Sequence, residues 1–191
     1  MMHSRRSSPA APDRFPLALA GRLSGSVAGK VVTSFLQPLL VDLIALVLYG
    51  KQAQWHLHGR HVPAIREPLE RLIADIRVRS DDVALRMVVF GACVDVRPAT
   101  VATTTGLPDF PPGFVGEDKT MGALIDQTDA AIARARNALG PLAAIDPVSQ
   151  TIVLGVLTSL EKSRWEFAAQ VPAEPRHLPS DETLDQPHSP E

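Results

Sequence analysis

Between Leu40 and Met87, the run Lys51-Gln52-Ala53-Gln54-Trp55 closes one apolar segment, and Arg66, Glu70, Asp81 and Leu85 follow on one face of the next. In the first segment Leu36, Leu40, Leu43 and Val47 recur at intervals of three and four; in the second, Leu69, Leu72, Ile76, Val83, Met87 and Phe90 do the same. Such spacing returns side chains to one side of a helix with 3.6 residues per turn, so it predicts helices over roughly 34–57 and 61–90. Arg66 and Glu70 are four apart, as are Asp81 and Leu85, so each pair is stacked. Glu70 and Asp81 share the stripe but lie about 16 Å apart along the axis at 1.5 Å per residue. One ion cannot bind both carboxylates from a single chain; a shared centre requires Asp81 from an antiparallel symmetry mate.

Working outward, Met121, Leu124, Ile125, Ile132 and Leu139 carry the same period from about Glu117, where acidic residues suit the positive end of a helix, to an expected stop at Gly140-Pro141. Asp146-Pro147 caps and opens a fourth helix through Ile152, Val156, Leu160 and Phe167, ending at Val171-Pro172. The first and third joins are short and force antiparallel hairpins, while 91–116 is long and is the crossover. Within it, 97–103 is expected to form a short helix before a proline-rich stretch. Pro38 and Pro68 each remove a backbone donor inside a helix, and a bend at Pro68 would fall between Arg66 and Glu70. The expected fold is all-α: an antiparallel four-helix bundle with a short extra helix in the long second connection.

The 191 residues, 45% hydrophobic and 21% charged with 5% aromatic, suit one packed helical domain better than a β-sandwich. Residues 1–30 read as a flexible arm in which Arg5, Arg6, Arg14, Arg22 and Lys30 outweigh Asp13, leaving it four net positive charges. Residues 31–172 form the helical domain. Residues 173–191 read as a disordered tail in which Glu174, Asp181, Glu182, Asp185 and Glu191 outweigh Arg176, leaving four net negative charges. A single cysteine, Cys93, allows no internal disulfide, so a cytoplasmic setting is expected. The apolar run 39–49 is too short to span a bilayer and contains Asp42, and the N-terminus lacks a signal-peptide pattern beyond the short apolar stretch 17–20; no membrane partner is expected.

The Lys-Gln-Ala-Gln-Trp run, with the residues stacked after it, resembles the iron-oxidising segment of the Dps family, mini-ferritins that protect bacterial DNA in starvation. Their commonest form of the run has histidine where Gln54 stands. The mid-crossover helix, and Asp146-Pro147-Val148-Ser149-Gln150 with Leu160-Glu161-Lys162 ahead of Trp165, resemble the same family, over roughly 33–171. The resemblance implies a ferritin-like bundle assembled as a hollow oligomer, a dodecamer in the family, with an iron centre between subunits. It also implies that the family's two ligand histidines fall on Gln54 and Arg66, its second-helix aspartate on Glu70, and its acidic pair on Asp81 and Leu85. Three of those five positions have lost their ligands.

Iron oxidation needs imidazoles and carboxylates that hold Fe²⁺ and leave coordination positions open. Only Glu70 and Asp81 remain suitable, and Arg66 places a permanent cation where a neutral ring is needed. The expectation is that Arg66 forks onto Glu70, or onto Asp81 or Asp82 of a neighbouring subunit, with Trp55, Arg66 and Asp82 at the interface, so that a salt bridge occupies the metal's place. Iron, if held, is held weakly by Glu70 and Asp81. Thr151 also stands where relatives show an acid near the iron entry pore.

Other residues read more plainly. His56, His58 and His61 are polar residues at a helix end, one capping its carbonyls, rather than replacement ligands. Asp42 is a paired or surface polar residue rather than a proton carrier. Trp55 and Trp165 are core or interface anchors, with radical interception beside the metal a lesser role for Trp55. The arginine arm either binds DNA phosphates multivalently or simply keeps the particle soluble.

Three functional readings follow. The first is a Dps-like stress-protection cage with weak or lost ferroxidase activity, alone or mixed with a paralogue, cytoplasmic and in reach of the nucleoid. The second is an active mini-ferritin with a modified inter-subunit site. The third is a helical scaffold or partner-binding module that forms no cage.

Overall fold

The computed structural model describes residues 26–60 and 62–170. Five helices follow one another: α1 Val27–His56, α2 Val62–Val89, α3 Pro98–Thr104, α4 Glu117–Ile145 and α5 Pro147–Ala168. α1 packs on α2 and α4, α5 packs on α2 and α4, and α3 lies against α1, so the four long helices close a ring around one core. Adjacent helices are antiparallel, as the ties between α2 and α5 show: Arg71 reaches Glu166 at 3.5 Å, Arg79 Nε donates to Ser159 Oγ at 3.3 Å, and Arg86 reaches Asp146 at 2.7 Å. Ascending α2 therefore meets descending α5. Leu36, Leu39, Leu40, Leu43, Leu69, Leu72, Ile76, Met87, Leu124, Val156, Leu160 and Phe167 fill the core, as their helical spacing requires.

The boundaries differ from the sequence reading in three places. α1 begins at Val27 because Ser26 caps it, its Oγ accepting from the Gly29 amide at 3.0 Å, so Lys30 of the expected basic arm lies in a helix. α4 passes through Gly140-Pro141 to Ile145; Ala138 and Leu142, buried on either side of the proline, hold the helix that the missing amide weakens. α5 ends at Ala168. α1 and α2 run unbroken through Pro38 and Pro68. Residues 1–25 of the arm, with Arg5, Arg6, Arg14 and Arg22, and the tail 173–191 lie outside the described residues. The 39–49 run belongs to a 30-residue helix that is long and apolar enough to cross a membrane; here its apolar side is buried against α2 and α4.

Asp42 in α1 is only 1% exposed. A buried carboxylate persists only when paired and hydrogen-bonded, and three groups meet it: the guanidinium of Arg134 in α4, the Thr105 hydroxyl at 3.0 Å and the Gly106 amide at 2.8 Å. It is the paired helix residue of the sequence reading, and it ties α1, α4 and the crossover at one point. A Cβ at Gly106 would displace the Arg134 guanidinium from its place against Asp42. Gln127 Nε2 donating to the Pro108 carbonyl at 2.9 Å and Tyr49 Oη donating to Asp109 at 3.3 Å fasten the next residues of the crossover. Asp42→Ala leaves Arg134 and the Gly106 amide without their acceptor; urea unfolding is expected to show a loss of roughly 2–4 kcal/mol.

Asp146 does the same work where α5 begins. It caps α5 by accepting from the Ser149 amide at 3.1 Å and from its hydroxyl, and it takes Arg86 of α2 through Nη2 at 2.7 Å and Nε at 3.2 Å. Arg86 also lies 4.7 Å from the Phe90 ring centroid. Burial pushes the Asp146 carboxyl up, but the hydrogen bonds from Ser149 and Arg86 outweigh it and hold the group below the ordinary carboxylate range. A carboxyl depressed by folding adds stability above its unfolded value of about 4, and that stability is lost as pH falls through the folded value. The stability difference between wild type and Asp146→Asn is therefore expected to be largest at neutral pH and to shrink below about pH 4, as chemical denaturation at each pH will show.

Candidate functional site

The end of α1 and the outer face of α2 bring the sequence-predicted residues together in part. Gln54, in the last turns of α1, donates through Nε2 to Glu70 Oε1 of α2 at 2.8 Å. Its orientation is set from behind, because Lys51 one turn earlier donates to Gln54 Oε1 at 2.9 Å. In the relay Lys51 to Gln54 to Glu70, the amide oxygen, the only atom with which Gln54 could ligate a cation, already accepts one hydrogen bond. The sequence reading did not pair Lys51; its i, i+3 spacing to Gln54 is the signal available, but the partner depends on the amide orientation that α2 imposes.

Arg66 is exposed and makes no ion pair among the described residues, so its expected fork onto Glu70 within the chain does not form. The nearer Gln54 amide takes that carboxylate. Asp81 is exposed further along the same stripe, and Leu85 is 65% exposed beyond it. Asp82, offered above as an interface residue, is turned toward Arg79, 3.5 Å away. Trp55 and Trp165 are both largely exposed, so neither is a core anchor; an interface role is left to them.

His56 and His58 are both engaged at the end of α1. The His56 ring nitrogen meets the Gln52 amide at 2.8 Å, and its ring lies 5.1 Å from that of Phe114. His58 Nδ1 lies 3.3 Å from the His56 carbonyl, the helix-end role expected of one of them; His61 is outside the described residues. Thr151 is exposed, its hydroxyl donating back to the Pro147 carbonyl at 2.9 Å. Among the described residues no three His, Cys, Asp or Glu side chains gather as a metal site.

No family model matches the chain. Curated relatives do. It is similar to DNA protection during starvation protein 2 of Deinococcus radiodurans, at 27% identity over 166 residues, 87% of this chain and 69% of that protein. It is also similar to the DNA protection during starvation protein of Agrobacterium fabrum, at 29% identity over 147 residues, 76% of this chain and 91% of that one. Among solved structures, Dps from Microbacterium arborescens in a high iron form superposes with a TM-score of 0.73 at 29% identity, over 76% of this chain and 96% of the other. The chain is a Dps-family relative. Its bundle is ferritin-like, with the short α3 in the long connection.

Set against Dps iron chemistry, the residues present do not fit a metal centre. Gln54 turns its amide nitrogen toward Glu70, and its oxygen already accepts from the Lys51 ammonium, a cation beside the place an iron would take. Arg66 adds a full positive charge one turn from Glu70, where Coulomb repulsion opposes a second cation. Leu85 has no donor atom. Glu70 and Asp81 are the two carboxylates left on the stripe, and a pair without imidazole is a poor cage for Fe²⁺.

Proposed function

We propose that this chain is the subunit of a Dps-type stress-protection particle, a hollow homo-oligomer and by family resemblance a dodecamer, whose inter-subunit position oxidises ferrous iron weakly or not at all. The observation that carries this reading is the Lys51–Gln54–Glu70 relay beside an unpaired Arg66: hydrogen bonds and charge occupy the place where a Dps ferroxidase needs open ligands. Iron is here a substrate that the site no longer receives well, with Glu70 and Asp81 its residual ligands. The relatives' names support a role in DNA protection during starvation. Arg5, Arg6, Arg14, Arg22 and Lys30 give each subunit a basic segment that many copies on one particle would present together to phosphates, in the cytoplasm and at the nucleoid. A cage mixed with an iron-oxidising paralogue suits the same surface.

Light scattering and Fe²⁺ oxidation with peroxide, followed optically on one preparation, test the proposal. The expected result is a particle many times the 20.6 kDa chain mass that oxidises iron no faster than buffer. Saturable oxidation well above buffer by the intact particle would overturn the loss of activity, and a monomer would overturn the cage.

A gain-of-function variant tests the residue assignment separately. Gln54→His, Arg66→His and Leu85→Glu combined restore imidazole and carboxylate at the three altered positions, and a rate at least about tenfold above wild type is expected, the size of effect that ligand-set changes produce. An intact particle with no gain would show that the positions are misassigned.

A further inference from the structure

A groove of about 550 Å³ runs beside the first turns of α1, where they pass the end of α2. Gly29, Thr33 and Pro38 stand on its α1 side, and Phe90 and Ala92 face them; Lys30 is its one charged lining residue among the described residues. From Gly29 to Pro38 the α1 wall is about 14 Å long at 1.5 Å per residue. Gly91, at φ 71°, turns the chain out of α2, and the Ala92 amide donates back to the Met87 carbonyl at 3.0 Å, which fixes the facing rim. Pro38 has no amide, so the Ser34 carbonyl, also on the groove, lacks the donor a helix ordinarily supplies four residues on. The groove is thus mostly apolar, with one backbone acceptor along its length.

The basic arm carries an apolar interruption, Phe15-Pro16-Leu17-Ala18-Leu19-Ala20, outside the described residues. Its three large side chains stand at i, i+2 and i+4, positions that an extended chain places on one face. From Phe15 to Leu19 such a chain spans about 13 Å at 3.3 Å per residue, the length of the α1 wall. Residues 21–25 join the segment to Ser26, the cap of α1, and at up to about 3.6 Å each they reach roughly 18 Å, enough to reverse the chain. We propose that residues 15–20 lie in this groove of their own chain, antiparallel to α1, with Phe15, Leu17 and Leu19 turned into it and a backbone amide donating to the Ser34 carbonyl.

The occupant is the chain's own segment because a tether of five residues holds it near the groove at an effective concentration of the order of millimolar, which no free partner matches. It brings no charge to bury, whereas residues 1–14 carry Arg5, Arg6, Asp13 and Arg14. The acidic residues 173–191 follow the far end of α5, which begins beside Arg86 of α2 and runs about 33 Å from there at 1.5 Å per residue. Seating the segment removes Phe15, Leu17 and Leu19 from water and fixes the root of the arm. Residues 1–14 then leave from beside Pro38, and Arg22 lies in the reversal close to Lys30. An apolar contact thereby decides where the arm presents its positive charge. The inference concerns one chain and holds whether or not the particle closes or oxidises iron.

Disulfide trapping in the full chain tests it. Ala92→Cys with Cys93→Ser is combined in turn with Leu17→Cys, Leu19→Cys and Ala18→Cys; the last has the same tether but faces the other way. Because a disulfide needs side chains that point at each other, position 17 or 19 is expected to close a bond to position 92 at least about tenfold faster than position 18. Adding Leu17→Asp to the Leu19→Cys chain is expected to slow closure about tenfold. Should the changes at 92 and 93 unfold the chain, as circular dichroism would show, trypsin cleavage after Arg14 and Arg22 supplies a second reading. Cleavage of the wild type is expected to be about three- to tenfold slower than that of the variant with Leu17→Asp and Leu19→Asp. Equal closure at 17, 18 and 19, or cleavage indifferent to the aspartates, overturns the docking. A disulfide that joins two chains, seen as a doubled mass without reductant, overturns it too and gives the groove to the arm of a second copy.

Discussion

A carboxylate sealed inside a helical bundle must be neutralised and saturated with hydrogen bonds, and Asp42 imposes that constraint on the rest of this fold. Its partners come from three places that are distant in sequence: Arg134 in α4, Thr105 at the end of α3, and the Gly106 backbone. Satisfying them together fixes where the crossover turns and how α4 lies along α1. Asp146 and Arg86 make the corresponding tie between α2 and α5 at the start of α5. With α1 and α4 locked at one point and α2 and α5 at another, the outer side of α2 stays exposed, its Val78 59% and Leu85 65% accessible.

The chemistry of that uncovered side follows from which groups the bundle has already engaged. Gln54 is held by Lys51 and directed at Glu70, so the end of α1 contributes a hydrogen-bond donor where Dps proteins present a metal ligand. Arg66 faces outward one turn before Glu70 and makes no ion pair among the described residues. A cation and an anion left on an exposed helix face need a counter-charge, and an ion or a second protein surface can supply it.

Much of this was legible from residue spacing. The three-and-four recurrence of Leu, Ile and Val placed all four long helices, and the long gap between the second and third marked the crossover with α3 inside it. Two boundaries were missed for physical reasons: Ser26 caps α1 earlier than the leucine pattern begins, and burial of Ala138 and Leu142 carries α4 past a proline that would end an isolated helix. At the site, the residue types at 54, 66 and 85 were legible as Gln54, Arg66 and Leu85. What they touch was not legible, because the orientation of the Gln54 amide depends on Lys51 behind it and Glu70 across from it, on two different helices. Asp42 was open for the same reason: Arg134 is far away in the sequence, and only the packing of α4 on α1 delivers it.

Anomalous diffraction at the iron edge, from crystals grown with ferrous ion under anaerobic conditions, measures the central claim directly. The account predicts no anomalous peak between Glu70 and Asp81 of a second copy. A strong peak bridging Glu70 to the second copy's Asp81 would contradict it, because an ion would then sit where the arginine's charge is said to exclude one.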